Sequence, residues 1–180
     1  MIRVPHLLLV AAPLGLLAAH AAFGQVRHDS NAPIDFSAQS IELQDRANRA
    51  ILTGGVTIRQ ATMTLTADRV TVNYTGQVAS GSPQASRLDA AGGVTVTRPD
   101  QTAKSNYAVY DVNRRVVTMI GNVSLTQGTN RLNGGRLSID LDTGRATIDG
   151  SGVASTTAPG GGVTQQGGRV SGRFSVPKRN

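Results

Sequence analysis

Cysteine and tryptophan are absent from this 180-residue chain, glutamate occurs once (Glu42), lysine twice (Lys104 and Lys178), and tyrosine and phenylalanine three times each. Without Cys there are no disulfides, no thiolate nucleophiles and no Cys-based metal sites. Scarce Glu and Lys remove two good helix formers. Threonine and valine, eighteen of each, are residues that fit the pleated surface of a strand. Few aromatics argue against a surface built to stack sugars or bases. Composition therefore predicts an all-β protein, and length predicts one domain.

What is present at the start reads as a targeting segment. Arg3 supplies a positive charge, Leu7 to Ala19 is an apolar run, and the small-residue triplets Ala19-His20-Ala21 and Ala22-Phe23-Gly24 follow. This pattern predicts a cleavable secretory signal over residues 1–24. The apolar core is shorter than the roughly 20 residues a spanning helix needs. Pro13, Gly15 and His20 also interrupt it. The mature chain is expected to begin at Ala22 or Gln25. It keeps one histidine, His28, in a polar run expected to be a flexible lead-in over 25–33. One His and no Cys exclude a His-based metal site, and a Ser-His-Asp triad would have to use His28. The only close carboxylate pair in strand-like sequence is Asp140 and Asp142. It is expected on a solvated strand face with Ser138.

From Ile34 onward apolar and polar residues alternate. Ala50, Leu52, Gly54, Val56 and Ile58 share one phase; Met63, Leu65 and Ala67 share another, followed by Val70, Val72 and Tyr74 after a slip. Leu88 to Val96, Val116 to Ile120, Val123 with Leu125, and Leu137 to Leu141 continue the pattern. A period of two predicts strands with one face toward an apolar interior. The runs repeat. One unit ends in Gly54-Gly55-Val56, returns at Gly92-Gly93-Val94 and Gly121-Asn122-Val123, and has a degenerate copy from Gly144 to Val153. A second unit alternates with it: Leu65 to Val72, Ser105 to Asp111, and Asn133 to Asp140. Glycines inside strands predict bulges where a sheet bends, so each repeat is expected to hold two to four short strands in a curved structure. Residues 76–87 read as a longer loop. Beyond Gly150, Ala158-Pro159-Gly160-Gly161-Gly162 reads as a linker. Residues 154–180 are expected to form a Gly-rich linker and basic tail. The chain from Ser151 carries Arg169, Arg173, Lys178 and Arg179 with no acid, whereas residues 25–150 carry thirteen basic and eleven acidic side chains.

An exported one-faced β structure with so little reactive inventory points to binding or structure, not catalysis. An aliphatic lining suits acyl chains, at about 0.8 kcal/mol per buried methylene. The same side chains could equally fill a closed core, and pattern alone favours the filled core. Export argues against nucleic acid as a partner of the basic tail. Anionic headgroups remain open to it.

Several segments, taken in order, are similar to a known family. Pro33-Ile34-Asp35-Phe36 with Ile41-Glu42-Leu43, the run Ala50 to Ile58, Leu65-Thr66-Ala67-Asp68-Arg69-Val70, and Val116 to Val123 resemble the LptA/OstA-like family of periplasmic lipopolysaccharide transport proteins. The resemblance spans Ala32 to Gly150. It implies a twisted open β-jelly roll of many short antiparallel strands over residues 34–153, whose apolar groove holds lipid A acyl chains, with no cofactor and no enzymatic activity. It implies a place in the periplasm, head-to-tail self-association through edge strands, and LptC-like inner-membrane and LptD-like outer-membrane partners. In combination with the alternation it favours a groove, with Ile34, Phe36, Leu65, Val72, Val94, Val109, Ile120, Leu125 and Ile139 as candidate lining residues. The alternatives are an exported β-repeat scaffold that binds no lipid and, more distantly, a glycan-active enzyme using Asp140 and Asp142.

Overall fold

The computed structural model describes residues 28–76, 81, 83–150 and 171–173. The signal segment and the Ala158–Gly162 linker lie outside the described residues. So does most of the basic tail. A single antiparallel sheet accounts for nearly everything else. Six long strands form a meander: β3 (Arg49–Gln60), β4 (Met63–Thr75), β5 (Gln84–Arg98), β6 (Gln101–Asp111), β7 (Val116–Gln127) and β8 (Asn130–Asp140). Each edge is a broken strand. β1 (Asp35–Ser37) and β2 (Ser40–Gln44) share the free side of β3, and β9 (Ala146–Asp149) and β10 (Ser171–Arg173) share that of β8. One 3₁₀ turn, Asp45–Ala47, joins β2 to β3. Among the described residues no helix is long and apolar enough to cross a membrane.

The glycine repeats explain how one sheet encloses a core. Gly54-Gly55 on β3, Gly92-Gly93 on β5 and Gly121-Asn122 on β7 all have positive φ, the first of each pair between 80° and 82°. At each pair the register slips, with two residues opposite one on the following strand. These are β-bulges, which bend a strand while the ladder continues on both sides. They line up across the sheet and crease it. An added Cβ at Gly54 would collide with Gln39, in the break between β1 and β2, and one at Gly92 with Asp68 of β4, so a polar side chain of the neighbouring chain segment fills each of these bends. The two repeat units are thus the two strands of each hairpin. Each strand is long and creased, not split into the short pieces expected from the glycines, because the bulge bends the chain without interrupting pairing.

The crease turns the sheet's halves toward one another. Inward residues from both halves form one cluster: Leu52, Val70, Leu88, Val117 and Ile139 from one half, Ile58, Leu65, Val96 and Leu125 from the other. At the open side of the fold, Tyr110 Oη, at the end of β6, donates a buried hydrogen bond of 2.6 Å to Gln60 Oε1, at the end of β3. The tail expected beyond residue 154 is not wholly apart from the sheet, since Ser171–Arg173 pairs with Arg131–Asn133.

Candidate functional site

A cavity of about 570 Å³ lies at the N-terminal edge. β1 and β2 contribute Phe36, Ile41 and Leu43; β3 contributes Leu52 and Ile58; β4 contributes Val72 and Tyr74; Val112, the start of β5 and the chain from Ser30 to Ile34 also line it. Register explains why these residues converge. Phe36 pairs with Ile58, Ile41 with Leu52, and Leu43 with Ala50. The three edge residues therefore point toward the same interior as the buried core. They nevertheless remain 56 %, 48 % and 53 % exposed, because among the described residues nothing beyond the last strand covers them. The result is an apolar chamber that opens at the sheet edge.

The nine candidate lining residues separate into three groups. Ile34, Phe36 and Val72 line the cavity. Leu65, Val94, Leu125 and Ile139 face inward but sit in the packed core, nearly free of solvent contact. Val109 and Ile120 are corrected to the outer face. Ala108 and Tyr110 take the inward phase on β6, Met119 takes it on β7, and Ile120 pairs with exposed Tyr107. Met119, Val123 and Leu125 keep one phase through Gly121-Asn122, so plain alternation sets Ile120 opposite Leu125. On β6 the inward phase slips between Ser105 and Ala108, opposite Gly92-Gly93, which leaves Val109 outward. Sequence reasoning missed Ile41, Leu43, Leu52, Tyr74 and Val112. Ile41 and Leu43 carried the alternating signal, but only the edge position of β2 marks them as accessible.

The lead-in is not a free segment from His28 onward. Gln60 Nε2 donates to the carbonyls of Ser30 and Ala32, at 3.0 Å each. Ser30 Oγ donates to Asp142 Oδ1 at 2.8 Å, and Arg115 bonds both Asp142 and Asn31 at 2.9 Å. His28 is buried, 6 % exposed. These contacts hold residues 28–33 as a strap across the slit between the two half-sheets.

The carboxylate pair has structural duties. Asp142 lies in the turn after β8, not on the strand face expected for it. Asp140 Oδ1 accepts from the backbone N–H groups of Asp142 and Thr143 and so closes that turn. The bonds from Thr143 hold the Asp140 carboxyl below its usual range. Those from Arg115 and then Ser30 do the same for Asp142. A general acid needs the opposite shift. Among the described residues no cluster of three His, Asp or Glu side chains could hold a metal ion.

A twisted antiparallel jelly roll, creased at glycine bulges and unclosed at its edges, with an apolar chamber at one of them, is the class of protein that this fold and site define. Residues 35–145 match the family described as LptA/(LptD N-terminal domain) LPS transport protein, and the chain belongs to that family, one of transport proteins and not of enzymes. An uncharacterized protein of Rhizobium meliloti (strain 1021) is 29 % identical over 162 residues, covering 83 % of this chain and 87 % of the relative. The fold is also that of LptH, the LptA-homologous periplasmic component of the lipopolysaccharide transport device of Pseudomonas aeruginosa. That crystal structure superposes with a TM-score of 0.66 at 21 % identity, over 83 % of this chain and 99 % of LptH.

Proposed function

We propose that this protein is a periplasmic carrier of lipopolysaccharide that shelters lipid A acyl chains in the N-terminal chamber and passes them along a bridge of head-to-tail protomers. The supporting observation is the inward-facing yet exposed trio Phe36, Ile41 and Leu43 over an apolar cavity. Each methylene that moves from water into such a site contributes about 0.8 kcal/mol. Unpaired sheet edges, normally an aggregation hazard, are suited to adding a strand from another protomer or from LptC-like and LptD-like partners. The signal-like residues 1–24 and the likeness to LptH favour the periplasm.

The packed middle of the sheet favours a second reading, an exported β scaffold that carries no lipid. Photo-crosslinking separates the two. Probes at Phe36, Ile41 and Leu43 are expected to capture lipopolysaccharide, while probes at outward Thr66, Thr71, Thr95 and Ser138 stay silent. Equal capture from both sets, or none from the first, rejects the chamber as a lipid site.

A further inference from the structure

Residues 28–33 touch both lips of the slit. On one lip are Gln60, at the end of β3, and Arg98, at the end of β5; on the other are Tyr110, Arg115 and Asp142. The strap also forms one wall of the cavity, through Ser30, Asn31, Ala32 and Pro33. It contributes no strand to the sheet, so its detachment would break side-chain bonds and leave every ladder intact. At its far end the buried imidazole of His28 faces the half-buried guanidinium of Arg98. Neither ring nitrogen of His28, nor Nε or Nη1 of Arg98, has a hydrogen-bond partner among the described residues. Gln60 faces His28 too, but its amide is committed to the two strap carbonyls and to Tyr110.

We propose that residues 28–33 are a gate over the slit, held shut while His28 is uncharged and released when it gains a proton beside Arg98. A second positive charge buried next to a guanidinium whose Nε and Nη1 lack partners among the described residues is costly. Asp29 on the strap and Asp142 across the slit attract the imidazolium, and Asp142 is already engaged by Arg115 and Ser30. Burial is the largest influence and pushes the His28 pKa down; the nearby Gln60 side chain opposes it, Arg98 reinforces it, Asp29 and Asp142 oppose it more weakly, and the net shift is downward. The closed strap therefore binds the proton less well than the open one. Its stabilisation by His28 is complete above the ordinary histidine value of about 6.5. It is lost as the pH falls below that value toward the lower pKa of the closed state. The slit is where an amphiphile could pass sideways into the chamber; only that last clause rests on the lipid-carrier reading.

Amide hydrogen exchange on the mature full chain, without lipid, tests the gate. Protection of the amides of residues 29–32, corrected for intrinsic rates, is expected to fall several-fold in the wild type between pH 7.5 and 5.5. The ceiling is about tenfold, since one unit separates pH 5.5 from the ordinary His value. His28→Gln, which stays neutral, is expected to hold its protection at both pH values. His28→Arg is expected to be weakly protected at both. A pH response that persists in His28→Gln overturns the proposal, and so does loss of protection in β5–β7 together with the strap. Uptake of detergent-dispersed lipopolysaccharide at the two pH values is a separate readout. Should no variant take any up while the exchange pattern holds, the carrier reading fails and the gate stands.

Discussion

Gly92 sits at φ +82°, where a Cβ would also strike the Asp68 carboxylate, whereas Gly93, at φ +53°, has open space around it. The third repeat places Asn122 at φ +49° in the position equivalent to Gly93. Gly92→Ala is therefore expected to lose about 2–3 kcal/mol, and Gly93→Asn to stay within about 0.5 kcal/mol of wild type, both read from urea unfolding. The sequence shows these pairs as repeats and, through Asn122, that the second member accepts a side chain; the bar at the first member comes from the contact with Asp68 across the ladder. Tyr110→Phe leaves Gln60 Oε1 buried without its donor and is expected to cost about 1–3 kcal/mol. A change below the error of the unfolding curve would show that water replaces the hydroxyl. For Asp142 the relevant range is acid. Its native pKa is depressed, so its contribution is present above the ordinary carboxylate value and is lost as the pH falls through the native one. Asp142→Asn should lower the thermal midpoint at neutral pH and flatten its decline below about pH 4.

Among the elements, β1 and β2 carry the functional contrast. Their apolar residues have the same alternation and the same inward direction as Leu52 and Ile58, yet about half of each remains exposed. Ile41→Lys with Leu43→Lys is expected to change unfolding free energy by less than about 1 kcal/mol per site, because little burial is lost. The same pair is expected to abolish lipopolysaccharide capture and any concentration-dependent mass seen in sedimentation. Retained association would place the contact at β9 and β10 alone. The strand content and most inward phases were legible from period two. The outward turn of Ile120 follows from plain alternation with Met119 and Leu125. That of Val109 was not legible, because the phase on β6 slips opposite a bulge that sits on the neighbouring strand.

Across the whole molecule the interior has two regimes, packed between β4 and β8 and open at the N-terminal edge. Ile139→Ala and Leu137→Ala should each cost about 2–5 kcal/mol, as deletions from a filled core do. Leu43→Ala should cost under about 1 kcal/mol, as a side chain already half in water. Similar small values at all three positions would mean a continuous trough instead. The alternating residues thus form a packed core along most of the sheet and line an apolar chamber at its N-terminal edge. What the chain determined by itself is local: Thr and Val set strands, period two set the face of each side chain, and Gly-Gly and Gly-Asn set the bends, since each depends on neighbours a few residues away. Where the chamber opens and what closes the slit depend on residues far apart in the chain. Gln60 meets Tyr110, and Ser30 meets Asp142. Such partners are chosen only when the creased halves come together, because a period-two pattern encodes which way a side chain points and not what it will face.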